Sequence, residues 1–198
     1  MTVALPPRPD WSHLIKSGSR VFVGGNAGVP YALIDDLIKH SKGFSDIELV
    51  HMLALGDTRW AKEEYRQLFK VNTFFIQGDE IRRAVDEGRA DYTPVFLSEM
   101  SSLFSDGTLP LDAALVTVSP PDEFGYCSLG VSVDISMSAV RNATIAIAQI
   151  NPQMPRTAGH SFIHISEFTA CIEADEPLQA IEAPAIDSVT ERIGQYVA

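Results

Sequence analysis

An apolar, β-branched run that breaks into glycine constrains this chain most: Val21-Phe-Val-Gly-Gly-Asn-Ala-Gly-Val-Pro30 leads straight into Tyr31-Ala-Leu-Ile-Asp-Asp-Leu-Ile38. Val-Phe-Val is stiff and strand-forming. Three glycines and a proline interrupt it, and apolar residues then recur at helical spacing, so the order is strand, tight loop, helix. Glycines 24, 25 and 28 can take positive φ and carry no Cβ. Consecutive amides can therefore face a carboxylate, a thioester oxygen or a phosphate near the helix start. The spacing is not the dinucleotide fingerprint, because the third glycine is missing, and Pro30 suits the first helical position. The same residues also describe an ordinary strand-to-helix turn.

The theme repeats along the chain. Strand-like Arg20 to Gly24 precedes a helix near Tyr31 to Ser41, Ile47 to Leu53 precedes one near Trp60 to Phe69, and Val71 to Ile76 precedes one near Asp79 to Gly88. Tyr92 to Val95 then leads to Leu97 to Phe104, Ala113 to Val118 to a helix near Ser132 to Arg141, and Ala143 to Ile150 to a proline-rich turn. Alternation of this kind predicts an α/β fold with a mainly parallel sheet flanked by helices, and the continuous apolar strands match burial on both faces. Ligands of open sheets sit at the carboxyl ends of strands. Three loops there are of interest: 24 to 30, Ser119 to Tyr126, and Asn151 to Gly159.

With 198 residues and 45% hydrophobic content, the chain can bury a substantial core. A formal net charge of −11 argues against a sequence-independent grip on nucleic acid, which needs lysine and arginine facing phosphates. The first ten residues lack a basic start followed by an apolar stretch, and no apolar run reaches membrane-spanning length. Cys127 and Cys171 stand far apart, without partners at metal-ligand or redox-motif spacing. Reduced, buried thiols in a cytoplasmic protein are the expectation.

Three segments carry a family likeness: Gly24-Gly-Asn-Ala-Gly-Val-Pro30, Ser119-Pro-Pro-Asp-Glu-Phe-Gly-Tyr-Cys-Ser-Leu-Gly-Val-Ser-Val-Asp134, and Asn151-Pro-Gln-Met-Pro-Arg156 with Ser161-Phe-Ile-His-Ile-Ser166. In this order they resemble the amino-terminal half of the acetyl-CoA hydrolase/transferase family, within the class I CoA-transferases, over essentially the whole chain. The resemblance implies a CoA-transferase-like, ribose-phosphate-isomerase-related domain over residues 1–181. Residues 182–198 would then be a linker and the first helix of a second domain, with apolar positions at 186, 189, 193, 196 and 197.

The resemblance also implies ping-pong transfer of CoA between carboxylic acids, with coenzyme A or acyl-CoA as substrate and no permanently bound cofactor. The nucleophilic glutamate, most of the CoA-binding surface and the oxyanion-stabilising loop belong to the family's second half, so no catalytic residue is assigned within this chain. Its part would be one wall of the cleft: Gly25, Asn26, Ala27 and Gly28, with Met154, Pro155 and Arg156 nearby. Implied partners are acyl-CoA and carboxylic acid substrates, the second α/β domain, and further copies in a homo-oligomer, with neither nucleic acid nor membrane.

Other residues invite chemistry but have plainer readings. Asp122 and Glu123 are adjacent carboxylates, which suit turn formation better than acid/base work on one bond. The family commonly has a histidine after this pair, where this chain has Phe124. It also more often has histidine near 158 and an acid or amide at 160, where this chain has Ala158 and His160. His160 and His164 have a helical metal-ligand spacing, yet Ser161 to Ile165 reads as a strand, so no metal site is assigned. Arg156 has open readings: a pair with a substrate carboxylate, a pair with a carboxylate of the second domain, or a hydrogen bond to backbone. Cys127 lacks a local base and reads as structural, and Ser132 reads as a helix N-cap. Lys62, Arg66 and Lys70 read as a solvated helix face. A second class of function remains beside the enzyme half: a small-molecule-binding module or sugar-phosphate isomerase relative on the same fold.

Overall fold

The computed structural model describes residues 3–183 and 185–198. Seven strands form one sheet: β1 (Arg20–Val23), β2 (Ile47–His51), β3 (Phe69–Thr73), β4 (Ala90–Tyr92), β5 (Leu111–Val118), β7 (Ala143–Ile150) and β9 (Ala170–Glu173), in the order β4-β3-β2-β1-β5-β7-β9. Every neighbouring pair is parallel. The expected α/β architecture is therefore present. A small antiparallel ribbon of β6 (Tyr126–Ser128) and β8 (Phe162–His164) is added to it.

Strand alternation divides the core in two, because successive side chains leave opposite faces of a strand. Val21, Val23, Leu49, Leu115 and Ile147 point to one side, where α2 (Tyr31–Lys39) buries Leu33, Ile34 and Leu37. Phe22, Val50, Val116 and Ala148 point to the other, where α4 (Leu97–Ser105) brings Met100 and Phe104 and α5 (Ser136–Asn142) brings Ala139 and Val140. Phe22 and Phe104 meet edge to face at 5.7 Å between centroids. The remaining helices are α1 (Trp11–Leu14), α3 (Asp79–Asp86) and α6 (Ser188–Val197). Every residue of α6 is exposed, and no helix among the described residues is long and apolar enough to cross a membrane.

The helix expected over Trp60 to Phe69 does not form. Two 3-10 turns, Arg59–Ala61 and Glu63–Tyr65, stand there, and Phe69 already opens β3. Lys62 between them is extended, with ψ 150°. The Ala61 carbonyl, which a helix would offer to Tyr65, instead accepts from Arg89 Nη1 at 2.6 Å, while the Tyr65 amide turns to Lys62 O. Burial of the Trp60 ring in the first core holds the segment in this shape. Three smaller shifts follow from local chemistry. The strand expected at Tyr92 to Val95 lies at Ala90–Tyr92, before Pro94, and that expected at Val71 to Ile76 ends at Thr73. The helix expected from Ser132 begins at Ser136.

Candidate functional site

The loops leaving β1, β5 and β7 converge at the carboxyl end of the sheet, and a fourth loop, residues 52–58 after β2, joins them. The glycines of the first loop serve close approach. A Cβ on Gly25 would lie 2.4 Å from Leu53 O, and one on Gly28 would lie 2.4 Å from Ser132 Oγ. Contrary to expectation, none of Gly24, Gly25 and Gly28 adopts positive φ; the left-handed residue is Asn26, at φ 53°. Asparagine tolerates this region, and here its Nδ2 donates to Asp134 Oδ2 at 2.5 Å. Its backbone bridges the fourth loop, with Asn26 N donating to Leu53 O at 2.7 Å and Leu55 N to Asn26 O at 3.2 Å.

The helix start is not an open anion site. Pro30 occupies the N-cap rather than the first helical position, and the Ala32 and Leu33 amides donate to Gln149 Oε1 at 3.0 and 3.3 Å. Gln149 is buried, and its Nε2 donates to Glu176 Oε2 at 2.9 Å. A side chain from β7 thus fills the place that a ligand anion could take. The donors left are in the loop itself: among the described residues, no acceptor is bonded to the amides of Gly25 and Ala27.

Two residues of the segment between β6 and α5 hold the first loop. Ser132 is not a helix cap; its Oγ donates to Gly25 O at 2.6 Å. The cap position of α5 is Ile135, and Asp134 just before it accepts at Oδ1 from the Ile135 and Ser136 amides at 2.6 and 3.1 Å while Oδ2 holds Asn26. Met154 from the third loop is buried and packs where a Cβ on Gly28 would come within 3.1 Å of its methyl, and its Sδ accepts from the Val131 amide at 3.4 Å. Pro155, beside it, is exposed.

Arg156 takes the backbone reading. Its Nη1 donates to Tyr126 O at 2.9 Å and Pro120 O at 3.3 Å, its Nη2 to Asp122 Oδ2 at 2.9 Å, and the guanidinium lies 5.2 Å from the Phe162 ring centre. Asp122 is a turn former: Oδ1 accepts from the Phe124 and Tyr126 amides at 3.0 and 2.9 Å. The Tyr126 amide foremost, with Arg156 adding to it, holds this carboxyl below the usual carboxylate range. A cleft of about 780 Å³ adjoins this loop, with Pro120, Pro121, Ile150 and Pro152 among its lining.

The remaining candidates stay apart. His164 is engaged by Ser166 Oγ at 2.7 Å and Phe124 O at 3.1 Å, and no group of three or more histidine, cysteine or acidic residues is placed to hold a metal ion among the described residues. Cys127 and Cys171 are buried free thiols, and burial pushes Cys127 up to about 12. Lys62, Arg66 and Lys70 form no helical stripe, since they pair separately with Asp57, Glu63 and Asp46. Sequence reasoning missed Gln149, Asp134 and Leu53. Only Gln149 carries a signal, as a lone long polar residue in the apolar run Ala143 to Ile150.

The geometry is that of a parallel α/β sheet with a glycine loop at its centre, braced by neighbouring strand-end loops. The chain belongs to the acetyl-CoA hydrolase/transferase family, matching its N-terminal domain over residues 9–191. It is 42% identical over 184 residues to the 4-hydroxybutyrate coenzyme A transferase of Clostridium kluyveri, covering 93% of this chain and 43% of that protein. It is 40% identical over 186 residues to the succinyl-CoA:acetate/propanoyl-CoA:succinate CoA transferase of Fasciola hepatica, covering 93% and 38%. Among solved structures it is similar to 4-hydroxybutyrate CoA-transferase from Porphyromonas gingivalis, with a TM-score of 0.71, 32% identity, and coverage of 86% of this chain and 38% of that one. RipA from Yersinia pestis gives a TM-score of 0.77 at 29% identity, covering 88% and 43%. The chain thus spans about two fifths of the length of these relatives.

Proposed function

We propose that this chain is the amino-terminal half of a CoA-transferase or acyl-CoA hydrolase, supplying one wall of the active-site cleft and inactive without a second domain. The reaction is CoA transfer between carboxylic acids. A glutamate from the second domain attacks the acyl-CoA carbonyl, and the acyl group passes to it as an anhydride while CoA leaves as thiolate. The thiolate then attacks the glutamyl carbonyl, releasing the carboxylic acid and leaving an enzyme thioester that an acceptor carboxylate, or water, resolves.

The observation that carries this reading is the glycine loop. Its backbone is fixed from three sides, and among the described residues no acceptor is bonded to the amides of Gly25, which is buried, and Ala27, which is half-buried; these are the donors this reading offers to an acyl-CoA. Gly25, Asn26, Ala27 and Gly28 form the wall, Met154 supports it from beneath, and Pro155 and Arg156 stand at its edge. Large apolar side chains exposed near this end of the sheet, Phe75, Phe96, Leu97 and Phe124 among them, suit docking of the second domain, as does the apolar side of α6. Residues 182–198 are its linker and first helix. Acyl-CoA enters as substrate with no permanent cofactor, copies assemble into a homo-oligomer, and the buried thiols suit a reducing cytoplasm.

The test is to fuse this chain to the carboxyl-terminal half of the Clostridium kluyveri relative and to follow exchange of CoA between acetyl-CoA and a carboxylate. Exchange by the fusion, with no thiol release by the 198-residue chain alone, is the expected result. A burst of thiol from the chain alone, abolished by a substitution within it, would overturn the reading.

A further inference from the structure

The cleft of about 780 Å³ lies apart from the glycine loop: none of residues 24–30 lines it. It opens at the carboxyl ends of β5, β7 and β9, where the first residues of the chain run beside the edge strand and Cys171 N donates to Pro7 O at 2.9 Å. Val3 and Leu5 of that segment, Pro120 and Pro121, and Ile150 and Pro152 give it an apolar lining. A volume of this size, mostly apolar with a few polar groups, is that of a small-molecule site.

Every polar side chain in the lining is a carboxylate: Asp122, Glu123, Glu173 and Asp175. Asp122 is answered by Arg156 at 2.9 Å, whereas Asp175 accepts from the neutral Gln153 Nε2 at 2.8 Å. Among the described residues no lysine, arginine or histidine lines the cleft, and Arg8, on the same amino-terminal segment, is drawn to Asp36 at 3.4 Å. The carboxylates are not spaced for a metal ion, since no group of three or more histidine, cysteine or acidic residues is placed to hold one among the described residues. What suits the cleft is a ligand with a hydrocarbon body for the prolines and Ile150 and a positive head for the acids. An anion with the same body would meet like charge without a partner.

We propose that this cleft binds a small aliphatic ammonium ion, its body against the apolar lining and its head at Glu173 and Asp175, the two carboxylates that close β9, with Glu123 adding to the negative field. The site is separate from any acyl-CoA held at the glycine loop.

The test is a titration of the full ¹⁵N-labelled chain at constant ionic strength with hexylammonium, hexanol, hexanoate and ethylammonium, following assigned amides. Hexylammonium is expected to shift the amides of Glu123, Ala174 and Asp175 and to bind about fivefold more tightly than hexanol, with hexanoate weaker still. Ethylammonium, four methylenes shorter, is expected to bind at least about tenfold more weakly than hexylammonium. Glu173→Gln combined with Asp175→Asn, both at exposed positions, should cut the preference for the cation by half or more and leave hexanol bound as before. Equal binding of hexylammonium and hexanoate overturns the proposal, as does a preference that the double substitution leaves unchanged. Equal binding of the two ammonium ions, or shifts scattered over the acidic surface, overturns it too, by reducing the effect to a counter-ion on a chain of charge −11. The amides of Gly25 and Ala27 are expected to stay unmoved, so the outcome bears on this cleft and not on the cleft wall.

Discussion

The loop after β1 and the loop after β5 sit side by side at the end of one sheet, yet they are held by opposite means. The second is saturated by charge: Arg156 spreads its donors over two carbonyls and the Asp122 carboxylate, while Asp122 also collects two backbone amides. The first has no charged residue of its own. It is held by close approach to Leu53 O and Ser132 Oγ and by the single Asn26–Asp134 contact. A loop whose donors are used up can only be scaffold. A loop fixed from outside by missing side chains keeps its own amides for something else.

That contrast is broken most directly at Gly25. An alanine Cβ would collide with a backbone carbonyl, Leu53 O, which has no rotamer to escape by. Gly25→Ala should therefore cost about 3 kcal/mol, the upper part of the range for overpacking, read as a lowered urea midpoint at unchanged slope. Wild-type stability in that variant would show that the glycine is not there for close approach.

Acid should separate the two regions next. His51, at the end of β2 just before Met52 and Leu53, is fully buried against Trp60 with ring centroids 6.0 Å apart. Burial lowers its pKa from 6.5 to about 4. The folded state therefore favours the neutral ring. Its contribution is complete above pH 6.5 and is lost as pH falls from there toward 4. From the linkage relation the loss at pH 5 is about 2 kcal/mol. Asp122, with its pKa lowered, contributes above its ordinary value of 3.8 and loses that contribution only below it. Urea midpoints between pH 8 and pH 2 should thus fall in two stages, and His51→Gln should remove the first. A first stage that survives in His51→Gln would assign it to another group.

The sheet could be read from the residues because strand alternation and helical spacing are local: Val21, Phe22 and Val23 declare a strand buried on both faces before any partner is known. The Trp60 segment could not, since what unwinds it is a hydrogen bond from Arg89, 28 positions away. The glycines announced a special loop, but two mechanisms, positive φ and absent Cβ, predict the same residue. Only the approach of Leu53 O and Ser132 decides between them. The helix start looked like an anion site because the glutamine that fills it comes from β7, more than a hundred residues on. Arg156 was legible as a key cation but not as a spent one.

The smallest effect tests that last point. Arg156 is partly exposed, and its ion pair with Asp122 is screened by water, so charge alone contributes little. What matters is the planar fork, which reaches Tyr126 O, Pro120 O and Asp122 together. Lysine keeps the charge and loses the fork. Arg156→Lys should then cost about 1 kcal/mol, the worth of one net hydrogen bond, visible as a small fall in thermal midpoint that added salt barely changes. A loss that salt abolishes would mean that the second loop is held by charge rather than by geometry. Its distinction from the first loop would then be one of sign and not of saturation.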